Sequence, residues 1–349
     1  MATVPQLVES PQGHPDSLPE HLRDSHGRVI TDLRVSITDR CNYKCVYCRT
    51  GQVGAQYAEL STAEYLRLIR NFVDLGIEKV RLTGGEPLLR KDLVEMVQEL
   101  SSWRTPAGSP LDIAITTNGH LLEKLARPLK AAGLSRITVS MDAVNQATFE
   151  RVTRVPGSFP AVVRGIRAAQ EAGLGRVKVN CVLLRGFNDD QIEGFAHFAR
   201  TENVIVRFIE FMPLEEDRLW TPEMVVPLRE IVTRLSAVYP LQLLAPNAAS
   251  ETARRYGFVD DVGEIGIIAP VTEAFCGACS RIRLTSDGKI RTCLFSNIEH
   301  DLYRQMKNGA SDLNLRNFIV RTVEQKEARH HIGEPGFLKP SRSMVHIGG

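Results

Sequence analysis

Cys41, Cys45 and Cys48 stand close together in the run "DRCNYKCVYCRTG". Thiolates at this spacing on one loop can converge on a metal centre, and a structural zinc site or a fully ligated iron–sulfur cluster takes four protein donors. No fourth donor stands nearby. Asp39 is the nearest candidate, and zinc completed by a distant histidine is the competing reading. A centre one ligand short would instead keep a position open for a small molecule, as catalytic zinc does. A second triad, Cys276, Cys279 and Cys293, repeats the theme. Taken alone it suits zinc, with His300, His330 or His331 able to complete a tetrahedron.

Other residues carry weaker signals. Gly84 to Pro87, "GGEP", reads as a turn, or as a place where missing side chains let a ligand approach the backbone. Arg281 and Arg283 are two apart and so share one strand face; guanidinium forks suit phosphate, and a solvated strand face is the plainer alternative.

The elements that must position these groups are legible from a repeated phrase. "LGIEKVRLT", "AGLSRITVS" and "AGLGRVKVN" each place a helix-ending glycine before a β-rich run. Ser61 and Glu64 form a capping box for a helix with the apolar face Tyr65, Leu66, Ile69, Phe72 and Val73. Repeated helix–strand units imply parallel strands. Six strands are expected: Leu33–Thr38, Lys79–Thr83, Asp112–Thr117, Arg136–Met141, Val177–Leu183 and Val204–Phe211. That is too few for a complete barrel. The fold is therefore read as α/β, an incomplete (β/α)6 TIM-type barrel, with a flat doubly wound sheet as the rival.

In five of these strands one parity is apolar (Leu33, Val35 and Ile37 in the first), while the other supplies Arg34, Arg81, Thr116, Thr138, Ser140, Lys178 and Asn180. A shared polar parity predicts a polar lumen and hence a polar ligand. Cys181 has the apolar parity and reads as core. A helical stretch around 222–236 and a hairpin turning at Asp287-Gly288 belong to a smaller C-terminal segment that closes the open side of the barrel. The proline-rich polar stretch 1–26 is expected to be disordered. The barrel is placed at 27–212, the C-terminal segment at 213–340 and a tail at 341–349.

Composition excludes some classes. A formal net charge of +2 advertises neither nucleic acid nor a membrane surface, so any anionic substrate must meet local cations. No apolar run is long enough to span a bilayer, and a cytoplasmic location is the default, in which cysteines favour metal over disulfides.

The CxxxCxxC run with Tyr47 before its last cysteine resembles the radical S-adenosylmethionine superfamily. The resemblance implies a [4Fe-4S] cluster on Cys41, Cys45 and Cys48 whose open iron takes S-adenosylmethionine, with "GGEP" meeting its amino group. Together with the second triad, "RLTGGEPLLR", "TTNG", "VSMDA", "FIEFM" and "CSRIRLTSDGKIRTCLF", the chain resembles one branch, the GTP 3′,8-cyclases of molybdenum cofactor biosynthesis. From that branch follow a second [4Fe-4S] cluster on Cys276, Cys279 and Cys293 and S-adenosylmethionine contacts at Tyr47, Gly85, Ser140 and Met212. GTP contacts are implied at Arg34, Arg81, Thr116, Lys178, Arg281, Ile282 and Arg283. Catalytic roles fall to Arg281, Arg283 and the terminal Gly348 and Gly349. Partners implied are an electron donor, a downstream cyclic pyranopterin monophosphate synthase and a second copy in a homodimer. A radical peptide-modifying enzyme and a zinc-stapled binding module are the rival functions.

Overall fold

The structure, a computed structural model, describes residues 18–48, 55–217 and 219–347. The six expected strands are present: β1 (Asp32–Ser36), β2 (Lys79–Thr83), β3 (Asp112–Thr117), β4 (Arg136–Ser140), β5 (Lys178–Leu183) and β6 (Ile205–Glu210). They lie side by side in chain order, all parallel. Helices cover the outer face, where the apolar parity of each strand is buried. The helix Thr62–Val73 carries the expected capping box, the Glu64 carboxylate accepting from the Ser61 amide at 2.8 Å. Leu68 takes the buried place expected of Leu66, which is only partly covered.

The later chain extends both edges of this sheet. β7 (Leu241–Leu244), β8 (Arg254–Phe258) and β9 (Glu264–Ile268) follow the helix Leu228–Val238; β10 (Arg281–Leu284), β11 (Lys289–Arg291) and β12 (His300–Asp301) come next. β9 pairs with β6 and β10 with β1, both parallel, so eight neighbouring strands run one way. The antiparallel pairs β7–β8–β9 and β10–β11–β12 finish the two ends. The barrel is thus left open, and residues 269–280 between β9 and β10 link its two edges. β10 and β11 form the hairpin expected at Asp287-Gly288, in the register Arg283 to Arg291. The helical stretch expected around 222–236 is a short 3-10 turn, Pro222–Met224, and then the helix Leu228–Val238.

The N-terminal expectation needs correcting. Residues 18–26 pack: Leu22 is buried, its amide donates to the Leu75 carbonyl at 3.1 Å, and Arg23 bridges Val29. A polar composition hid one apolar anchor and a buried Asp24.

Candidate active site

One cavity opens at the C-terminal ends of the parallel strands, where barrels of this kind collect functional groups. Arg34 of β1, Arg81 of β2, Thr116 of β3, Ser140 of β4, Asn180 of β5 and Arg207 of β6 line it, as do Arg281 and Arg283 of β10. Five arginines in one lumen repel one another. Burial, then Arg281 and Arg81, bring Arg34 down to about 9. Burial and Arg207 bring Arg81 to about 10, and burial and Arg136 bring Arg207 to about 10. The partners that hold these side chains are neutral. Arg81 Nη1 donates to the Thr116 and Thr138 hydroxyls (3.2 and 3.4 Å), and Arg207 Nε donates to Asn180 Oδ1 at 2.9 Å. Such a lumen is built for a polyanion.

Other expected contacts are not on the cavity wall or lie outside the described residues. Lys178 begins β5 and is not on the cavity wall; burial, Arg207, Arg136 and Arg81 bring it to about 8. Ile282 points its side chain into the core, so only its backbone is available to a ligand. Gly348 and Gly349 lie outside the described residues, although Ile347 just before them is buried and its carbonyl accepts from Arg283 at 3.4 Å. Arg207 was not singled out by parity, because its neighbours on that face, Ile205 and Ile209, are apolar.

The first cysteine loop leaves β1 and is held from several sides. The amides of Lys44 and Val46 donate to the Thr153 and Val152 carbonyls, at 3.1 and 3.0 Å. Asn118 Nδ2 donates to Asn42 Oδ1 at 2.8 Å, and the Tyr43 hydroxyl meets His120 Nδ1 at 3.1 Å. The Tyr47 hydroxyl donates to Asp142 Oδ2 at 2.7 Å, which aligns a ring that lines the cavity; burial brings Asp142 up to about 6. Asp39, the nearest candidate for a fourth ligand, spends Oδ2 on the amides of Gln56 and Tyr57 at 2.6 and 3.0 Å. It ties down the far side of the loop.

"GGEP" packs against the first cysteine loop. The Gly85 amide donates to the Thr38 carbonyl at 2.8 Å and the Glu86 amide to the Arg40 carbonyl at 2.7 Å. A Cβ on Gly85 would lie 2.2 Å from the Arg40 carbonyl oxygen, and one on Gly84 (φ +146°) 2.2 Å from that of Thr38. Here the missing side chains admit the neighbouring cysteine loop, and Gly85 is not on the cavity wall. Glu86 accepts from the Thr117 hydroxyl and the Asn118 amide (both 2.6 Å) and binds this loop to β3; burial brings it to about 7.

The second triad lies on the facing wall, with Cys276, Cys279 and Cys293 all on the cavity. Burial resists ionisation of Cys279, but Arg281 and then Lys326 bring it to about 7. Arg281 also sits 5.1 Å from the centre of the Phe275 ring. His330 lines the cavity, whereas His300 pairs in β12 and His331 is taken by Glu334 at 2.8 Å.

The donor sets suit iron–sulfur ligation. In the first loop Cys48 and Cys41 both push the Cys45 thiol up, after burial and Asp142, which marks the three as close neighbours. Among the described residues no three His, Cys, Asp or Glu side chains converge on a single ion.

Comparison with known proteins agrees with this geometry. Residues 35–199 match the Radical SAM superfamily and residues 204–332 the family Molybdenum Cofactor Synthesis C. The GTP 3′,8-cyclase of Xanthomonas axonopodis pv. citri is 41% identical over 94% of this chain and 99% of its own length. That of Moorella thermoacetica is 41% identical over 94% and 100%. Streptococcus suis SuiB, at 13% identity, shares the fold with a TM-score of 0.58 over 86% of this chain and 67% of that one. The chain belongs to the GTP 3′,8-cyclases of the radical S-adenosylmethionine superfamily.

Proposed function

We propose that the five-arginine lumen holds the triphosphate of GTP between two three-cysteine centres, each a [4Fe-4S] cluster with one iron left to a small molecule. The reaction is that of the family: GTP becomes (8S)-3′,8-cyclo-7,8-dihydroguanosine 5′-triphosphate, the first step of molybdenum cofactor biosynthesis. When bound to Cys41, Cys45 and Cys48, the first cluster with S-adenosylmethionine supplies a 5′-deoxyadenosyl radical that takes the ribose 3′ hydrogen, so that C3′ can bond to C8.

The chain's own part is placement and enclosure. Tyr47, Ser140 and Met212 line the cavity beside the first loop and are the side chains for S-adenosylmethionine; Gly85 shapes that loop. Arg34, Arg81, Thr116, Arg281 and Arg283 line the rest and would grip phosphates, with Arg207 joining them and Lys178 adding charge from beneath. The second triad, on the opposite wall, suits the guanine end. Gly348 and Gly349, outside the described residues, are assigned a part in activity, and Ile347 just before them meets Arg283.

The observation that carries this reading is the convergence on one cavity of five arginines, the second cysteine triad and Tyr47 of the first cysteine loop. A homodimer is supported by the outer strand β7, where Leu243 is 67% exposed at the sheet's end near exposed Val259 and Val262. Among the described residues no helix is long and apolar enough to cross a membrane, in keeping with a cytoplasmic site. An electron donor must supply reduction, and a cyclic pyranopterin monophosphate synthase would take the product. The test is anaerobic incubation with GTP, S-adenosylmethionine and dithionite, followed by mass spectrometry. The expected result is an isomer of GTP formed together with 5′-deoxyadenosine. Cofactor cleavage at an equal rate without GTP would contradict it.

A further inference from the structure

The two arms that carry the second triad are joined by a strut that begins outside both of them. Arg28 lies ahead of β1, and its side chain is only 7% exposed. Asp24 locks it: the Arg28 amide donates to Oδ1 at 3.0 Å and Nε to Oδ2 at 2.5 Å. The rest of the guanidinium goes to three carbonyls. Nη1 donates to Cys276 at 2.8 Å and Ala328 at 2.9 Å, and Nη2 to Glu327 at 2.6 Å. On the far side of this short segment, the Lys326 ammonium donates to the Thr292 carbonyl. The Thr292 hydroxyl in turn donates to Glu327 Oε2 at 2.7 Å. A continuous path therefore runs from the backbone of Cys276 through Arg28 and residues 326–328 to Thr292, the neighbour of Cys293.

The hairpin β10–β11 accounts for Cys293 relative to Arg283. Cys276 stands before that hairpin, on the short 3-10 turn Cys276–Ala278, and needs its own restraint. A guanidinium supplies one because its fork is planar and rigid. We infer that Arg28 and Lys326 are positioning residues that fix the distance between Cys276 and Cys293, and through it the seat of the second centre and its nucleotide. The inference rests on the proposal that this triad holds a cluster. It also gives the segment ahead of β1 a task that composition had concealed. Ligand-orienting groups of this kind commonly change metal affinity or activity by about 10–100-fold when removed.

The test compares Arg28→Gln, Arg28→Lys and Thr292→Val with the unaltered protein, all prepared anaerobically. Iron per chain, the paramagnetic resonance signal of each reduced centre, GTP affinity and the melting temperature are measured. Arg28 is not on the cavity wall, so its effect on GTP must act through the triad. Arg28→Gln is expected to weaken GTP about 10–100-fold and to alter or empty the second centre. The first centre and GTP-independent cofactor cleavage should persist, and Arg28→Lys should recover part of the loss. Thr292→Val, milder and at the other end of the path, should shift the same signal in the same direction; because Thr292 also lines the cavity, its readout is the second centre's signal and not GTP affinity. Full iron with unchanged GTP affinity in Arg28→Gln, and an unchanged second-centre signal in both Arg28→Gln and Thr292→Val, would overturn the strut. Equal loss of both centres with a falling melting temperature in all variants would overturn it too, since the role would then be structural only. About four irons in the unaltered protein would sink the two-cluster reading itself, a result distinct from failure of the strut.

Discussion

Raising the pH from about 7 to about 9 should turn GTP binding into a proton-consuming event, and the group responsible is Lys178. Burial, with help from Arg207, Arg136 and Arg81, holds its ammonium near 8 instead of 10.5. A triphosphate in the lumen reverses the local field. One phosphate charge on the order of 8 Å away at an effective dielectric of ~20 contributes ~2 kcal/mol, or ~1.5 pKa units. The bound state would then titrate near ~9.5 or above. The sign follows. The free protein has lost most of this proton by pH ~8.8 and the complex has kept it, so binding takes up ~0.7 proton there against ~0.1 at pH ~7. GTP affinity should accordingly fall as pH rises through about 8. Calorimetry in buffers of different ionisation enthalpy reads the uptake, and the same titration of Lys178→Gln gives the protons exchanged by the nucleotide's own γ-phosphate and guanine, to be subtracted. Lys178→Gln should flatten the profile, while Lys178→Arg should flatten it and retain affinity at alkaline pH. Uptake that stays near zero from pH ~7 to ~9 would refute the placement of the triphosphate in the lumen, whereas uptake as large in Lys178→Gln would move the effect to Arg34, held at about 9.

Arg207→Met should remove a charge-assisted contact worth about 1.5–3 kcal/mol, weakening GTP roughly 10–150-fold with little change in S-adenosylmethionine binding, as equilibrium titration can show. Gly85→Ala forces a Cβ to within 2.2 Å of the Arg40 carbonyl. Strain of about 1–3 kcal/mol is expected in denaturant unfolding, together with loss of iron from the first centre. Arg342 pairs with both Asp287 and Glu299, at 2.8 and 2.7 Å, and pulls Asp287 to about 2 against the effect of burial. A carboxyl depressed in the fold contributes stability above its unfolded pKa and loses it as the pH falls toward 2; here that amounts to about 2 kcal/mol. Acid unfolding should therefore come earlier in Asp287→Asn. Arg342→Leu takes the shared guanidinium from Asp287 and Glu299 but leaves them Lys289 and Arg291, and should cost about 1.5–3 kcal/mol at neutral pH and slow turnover by loosening the strap 341–347.

The barrel was legible in the sequence because β1 to β5 have two unlike faces: Val80 and Leu82 go under helices while Arg81 goes into the lumen. Alternation of this kind survives reading without coordinates. β6 broke it, since Ile209 lines the cavity beside Arg207 and a mixed face carries no parity signal. The strands β9 and β10 were harder still. Their partners are β6 and β1, far away in the chain, and no local pattern states that a strand will pair in parallel with a distant one. Spacing located both triads, whereas the meaning of "GGEP" required knowing what stood above it.

Composition misled where charge was spent inside the protein. Asp24, Arg28, Glu299, Arg342 and Lys326 all look like solvated residues in a sequence, and all five are buried. The energetic reason they are tolerated is that each meets a charge or a carbonyl in the fold. Those partners lie up to 300 positions along the chain, as between Arg28 and Ala328. A local reading cannot distinguish a guanidinium hydrated by water from one holding two arms of a metal centre. The arginines of the lumen pose the opposite case. Arg34, Arg81 and Arg207 are depressed first by burial and then by neighbouring arginines. With five arginines and one acid, Asp142, on its wall, the cavity leaves much of the compensation to its ligand, which makes bound nucleotide a source of stability as well as the substrate.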